Sequence, residues 1–179
     1  MRQQPEFMHT VTAEKELLSA LRGAARGREI LFHGTSYGSL IARTDTLLVP
    51  RAGAPAVALT RSPEVAILHA TLTMDNNDGI PTVFMFDRQS LKTRYRIEPH
   101  ADAEPWEKRA AKSEMEERVW LRDIRPISRH LITIFYCVGD RVYEQSSLTR
   151  FAIIADLLAR ARIAAWQKQN GYRAKTLAV

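Results

Sequence analysis

The stretch "LITIFYCVGDRVYEQ", from Leu131 to Gln145, constrains the fold more than any other part of the chain. Eight apolar or β-branched residues run to Val138, then Gly139-Asp140 interrupts, and a second β-favouring run begins. Two such runs joined by so short a turn can pair only antiparallel, because a parallel pair needs a crossover of a dozen or more residues. The sheet therefore has antiparallel neighbours at this end. The run that follows, "LTRFAIIADLLARARIAAWQKQ", has helical spacing and ends before Gly171.

The rest of the chain repeats this grammar of short strands and isolated helices. "TAEKELLSALRGAA" reads as an amphipathic helix with Thr12 as N-cap and Leu17, Leu18 and Leu21 on one face. "EILFH" is a short apolar strand, and "SYGSLIART" supplies one or two helical turns. "TLLVP" and "AVALT" read as two further strands. In "SPEVAILHATLTM", Ser62 caps a helix, Pro63 takes its first position and Glu64 complements the dipole. "NNDG" is a turn, and "PTVFMFD" is a strand apolar enough to be buried on both faces. Asp87 then caps the single turn "RQSL". "KTRYRI" alternates in polarity as a strand does, "EPHADAEPWEK" is a polar loop, and "AAKSEMEERVW" passes from a possible helical turn into a strand near Glu117.

These elements imply an α+β fold with a mostly antiparallel or mixed sheet. At 179 residues the chain suits one domain. Residues 12–179 are read as that domain and residues 1–11 as a poorly ordered N-terminus, in which Met8 is an alternative start.

Composition excludes several classes. No apolar run approaches the roughly 18 residues of a membrane helix, and the N-terminus lacks the apolar segment of a secretory signal. Cys137 is the single cysteine, so disulfide frameworks and cysteine zinc sites are out and the thiol is read as buried and structural. A cytoplasmic location fits. The five histidines, His9, His33, His69, His100 and His130, show no metal-ligand spacing, and no metal is expected. Neither a G-x-G-x-x-G, a P-loop nor a G-x-S-x-G is present. Lys and Arg number 26 against 20 Asp and Glu, a net charge of +6. The excess is concentrated in the last third, which permits attraction to nucleic acid.

Three strand ends carry polar groups: "FHGTS" at His33, "ALTRSP" at Thr60 to Ser62, and "EMEERVW" with Glu114, Glu116 and Glu117. Their order resembles the ADP-ribosyltransferase superfamily, in its diphtheria-toxin and poly-ADP-ribose-polymerase-like branch, over about residues 28–138. The resemblance implies a split sheet around an NAD cleft and a mono-ADP-ribosyltransferase that modifies a protein or nucleic acid and releases nicotinamide. It implies NAD as the substrate, no metal, and a bacterial or phage effector or toxin with a host target or an antitoxin as partner. By that likeness His33 anchors a ribose hydroxyl, Gly34 offers its backbone to the nicotinamide amide, and Thr35 assists. Thr60 or Ser62 reaches the carboxamide, Arg61 meets the pyrophosphate, and a glutamate stabilises the cation that develops on the ribose. Glu117 is the first candidate for that glutamate, because Val119 follows it on the same strand face; Glu116 is the second, through its E-x-E spacing. The tyrosine that stacks on nicotinamide in this branch is missing, with Val65 near its place, and Tyr37 is the candidate substitute. Two alternatives share the resemblance: an RNA 2′-phosphotransferase-like enzyme, for which Arg26, Arg28 and Arg61 are available, and an inactive binding module of the same fold.

Overall fold

In the computed structural model, the described residues are 11–51, 53–72, 79–100 and 115–169. They form five helices and seven strands. The strands are β1 (Ile30–Thr35), β2 (Ala56–Thr60), β3 (Thr82–Asp87), β4 (Ile97–Pro99), β5 (Glu116–Trp120), β6 (Leu131–Val138) and β7 (Arg141–Gln145). The helices are α1 (Val11–Ala25), α2 (Gly38–Thr44), α3 (Pro63–Leu72), α4 (Arg88–Lys92) and α5 (Leu148–Gln169). The strands make one sheet in the order β4-β5-β2-β1-β3-β6-β7. Every pairing between them is antiparallel, so the expected α+β class holds and its sheet is the antiparallel one.

Alternation along the strands assigns two faces. One carries Leu31, Phe84, Phe86, Leu59, Val119 and Ile134 into a core closed by Phe151 and Ala155 of α5. The other carries Ile30, Phe32, Val83, Met85 and Phe135 against Leu17 and Leu21 of α1 and Ala66 and Ala70 of α3. β3 feeds both cores, and its first five residues are buried as its unbroken apolar run predicts. The Gly139 turn has a φ of +61°, a left-handed conformation that glycine adopts without a Cβ penalty.

Local chemistry fixes several ends. The Ser62 hydroxyl accepts from the Val65 amide at 3.2 Å and caps α3. The Asp87 carboxylate accepts from the Ser90 amide at 2.8 Å and starts α4. Four expectations fail. "TLLVP" forms no strand: only Leu47 bridges, to Ile124, and the Val49 amide goes to the Asp123 carboxylate instead. "KTRYRI" is mostly not a strand, because the amides of Thr93, Arg94 and Tyr95 turn back to the carbonyls of Gln89 and Leu91 at the end of α4. β4 begins only at Ile97 and takes in Glu98 and Pro99, which were read as loop. Thr12 is not an N-cap, since α1 already includes Val11. The first three residues of the "NNDG" turn, which runs from Asn76 to Gly79, most of the polar loop and the proposed turn at residues 110–114 lie outside the described residues.

Candidate functional site

β1 has six register pairs with β3 but only one, Phe32 with Thr60, with β2. The sheet is therefore nearly divided along the β1–β2 seam. The Arg88 amide donates to the Glu29 carbonyl at 3.0 Å, which makes that position a hydrogen-bonded pair. Antiparallel ladders alternate, so odd residues of β1 turn their amides and carbonyls toward β3 and even residues toward β2. The backbone N–H and C=O of Gly34 consequently face the seam, two residues past its only registered pair.

His33 stands on the same sheet face as Leu31, opposite Phe84. Glu117 pairs with Leu59 and shares that face with Val119. His33 and Glu117 therefore stand on one face of the sheet, on the two strands that flank β2.

The state of each group is specific. His33 Nδ1 lies 3.1 Å from the Ala58 carbonyl. A carbonyl only accepts, so Nδ1 carries the proton and, in the neutral ring, Nε2 is an acceptor. Burial lowers the His33 pKa, against a smaller opposing effect of the Ala58 carbonyl, and holds the ring neutral. Glu117 has a side chain only 1% exposed. Its oxygens accept from Arg88 Nε at 2.8 and 3.0 Å, and from the Arg61 guanidinium as well. Hydrogen bonding to Glu117 is the main reason the Arg88 pKa is raised. Arg88 also bonds Glu29 at 3.1 Å. The carboxylate is therefore a charged group held between two cations.

Other expected site residues do other work. Glu116 points to the opposite face, beside Thr60 and Phe32, and pairs with Arg118 at 2.7 Å; it does not join His33. The Thr60 hydroxyl accepts from the Ser62 amide at 2.9 Å on that opposite face, and Ser62 caps α3 and donates to Glu64 at 2.9 Å. Neither joins His33 on its face of the sheet. The Thr35 hydroxyl accepts from the Tyr37 amide at 3.0 Å, while the Tyr37 ring is half exposed just past β1. Among the described residues Arg61 ion-pairs with Glu117, and it does not stand at a free anion position. For Gly34, a Cβ would stand 1.7 Å from the Ala66 carbonyl oxygen, so its missing side chain is required by the close approach of α3. The space once assigned to a flat amide on that side is filled by a helix backbone; only the seam-facing backbone groups remain available.

Arg88 was missed. It sits 29 residues from Glu117, and nothing in "RQSL" distinguishes it from a solvated arginine. A register-based signal existed: Arg88 follows the last residue of a buried strand, where a cation needs a carboxylate to be tolerated. Comparison with family models, curated proteins and solved structures gives no match to this chain.

Proposed function

We propose that the chain is an NAD-dependent ADP-ribosyltransferase whose substrate enters at the β1–β2 seam. The observation that carries this reading is that His33 and Glu117 share one face of the sheet on the strands that flank β2, with the Gly34 backbone groups turned into the seam. The neutral His33 ring accepts from a ribose hydroxyl through Nε2, and the Gly34 amide and carbonyl suit a carboxamide, which needs one donor and one acceptor. Glu117 stabilises the positive charge that grows on the ribose as the glycosidic bond breaks and its electron pair leaves with nicotinamide. An acceptor nucleophile then bonds to the same carbon and loses its proton. For this the half-exposed Arg61 must leave the carboxylate, and a pyrophosphate offers it a better partner; Arg88, which is more buried, stays. A split α+β sheet around this cleft is the finer fold reading that goes with the resemblance.

The double arginine clamp favours a second reading, a nucleotide-binding module without turnover, since a carboxylate already neutralised stabilises a cation poorly. Incubation with NAD labelled on the nicotinamide separates the two. The transferase reading expects release of nicotinamide that Glu117→Gln abolishes and His33→Ala weakens through binding. Calorimetric binding of NAD with no release supports the module. Full turnover by Glu117→Gln refutes the assignment of the carboxylate.

A further inference from the structure

Away from the seam, the end of β5 and the turn after α4 enclose a recess of about 430 Å³ lined by Arg94, Tyr95, Arg122, Asp123 and Arg125. A second recess of about 310 Å³ shares Tyr95 and Arg122 with it and extends past Trp120 to Arg96 and Glu98. The two recesses adjoin at Tyr95 and Arg122 and are taken together as a groove. Its walls are pinned. The Tyr95 hydroxyl donates to the Arg125 carbonyl at 3.0 Å and accepts from the Arg125 amide at 2.9 Å, which joins the α4 turn to the loop after β5. Asp123 is spent on the Val49 amide at 2.9 Å, and Glu98 is bound to Arg96 at 2.7 Å.

The remaining charges are not matched. Among the described residues, no carboxylate forms an ion pair with Arg94, Arg122 or Arg125. Arg122 lies over the Tyr95 ring, 5.2 Å from its centre. All three are exposed, and among the described residues none of them has a counter-ion. Trp120, 37% exposed, stands at the far end of the groove with Arg118 over its ring at 5.4 Å and His100 beside it, so a base would stack on the surface these two leave. Three cations spaced along a trough, with an aromatic at one end, fit a chain of phosphates carrying flat bases. A single small anion would need one site and no trough, and an acidic peptide has no use for the indole. The net charge of +6 points the same way.

We propose that this groove binds the phosphodiester backbone of a single-stranded polynucleotide, with Arg94, Arg122 and Arg125 on phosphates and Trp120 under a base. If the transferase reading above holds, the bound strand is the acceptor; that last step alone rests on it. The assay is fluorescence anisotropy with labelled twelve-nucleotide dT and rU strands, and with labelled polyglutamate, at several salt concentrations. Neutralising three phosphate contacts on a single strand predicts a slope of log K against log salt of about −2. The variant Arg94→Gln/Arg122→Gln/Arg125→Gln loses that slope and about a hundredfold in affinity at 0.1 M salt. Arg141→Gln/Arg150→Gln/Arg160→Gln removes the same charge from β7 and α5 and leaves the slope unchanged. Trp120→Ala weakens binding roughly tenfold with the slope intact. A preference between dT and rU tells which strand type the groove takes. Equal losses in the two triple variants, or polyglutamate bound as tightly as the strands, overturns the proposal. Arginine-dependent strand binding by a protein that cleaves no NAD leaves the groove standing and removes the transferase reading; NAD cleavage without strand binding does the reverse.

Discussion

The two arginines on Glu117 differ in burial, and that difference fixes what each substitution does. The Arg88 side chain is 14% exposed and meets a carboxylate that is 1% exposed; Arg61 is 47% exposed. Removing one partner of a buried pair costs about 3–5 kcal/mol. Arg88→Gln leaves Glu117 with Arg61 as a residual partner, so the loss falls to about 2–3 kcal/mol by the same principle. In a chain of this size each kcal/mol shifts Tm by about 2–4 °C, and Arg88→Gln should melt about 5–10 °C lower. Arg61→Gln removes a half-solvated pair worth about 0.2–1 kcal/mol and leaves both oxygens on Arg88, so its Tm should move by about 3 °C or less. The double variant Arg88→Gln/Glu117→Gln removes the whole buried pair and should be less damaged than the sum of its parts, with a coupling of about 1–3 kcal/mol. Differential scanning calorimetry on five proteins, the parent, these three variants and Glu117→Gln, reads all of this. Equal shifts for Arg61→Gln and Arg88→Gln would refute the argument from burial.

Three shorter predictions stand on other residues. Gly34→Ala drives a Cβ to 1.7 Å from the Ala66 carbonyl and must displace α3, at a cost of about 3 kcal/mol or more. Gly23→Ala in α1 meets nothing within 4 Å and should instead gain about 0.5–1 kcal/mol; thermal melts of the pair decide. The His33 pKa is lowered by burial, so folding favours the neutral ring, and its stability contribution is complete above the unfolded value and lost as pH falls from there toward the folded one. Denaturant titrations from pH 7.5 to 5 should therefore show a smaller acid loss in His33→Gln than in the parent, and an equal loss would contradict the neutral assignment. Burial pushes the Cys137 thiol up to about 11, so iodoacetamide at pH 8 should label it only after unfolding, as mass spectrometry would show.

Elements whose ends carry their own chemistry were legible in the sequence. Ser62-Pro63 marks α3, Asp87 marks α4, Gly139 marks the hairpin, and the unbroken run of β3 declares burial on both faces. "KTRYRI" misled because alternation cannot tell a strand from a turn that buries a single ring. Tyr95 is buried because its hydroxyl is paid for by the Arg125 backbone, 30 residues away. At the candidate site, the alternation that puts His33 with Leu31 and Glu117 with Val119 on one sheet face is visible in the strand ends that the sequence displays. The clamp did not, because Arg61 and Arg88 reach Glu117 across 56 and 29 residues and only register brings them there. Gly34 was legible as a position that excludes a side chain, but the neighbour responsible is a helix carbonyl.

The sheet can be viewed as two panels meeting at a crease, β4-β5-β2 on one side and β1-β3-β6-β7 on the other. The chain passes back and forth over that crease between β1, β2, β3, β4 and β6, so the panels cannot part; they can only change their angle. On one side α3, which grows out of β2, is seated on β1 at Gly34 and acts as a bolt. On the opposite side the panels are tied as well, by the His33 ring on the Ala58 carbonyl and by Arg88 on Glu117. The crease is thus fastened from both faces, more a riveted joint than a hinge, and a molecule entering it would have to take over one of those fastenings.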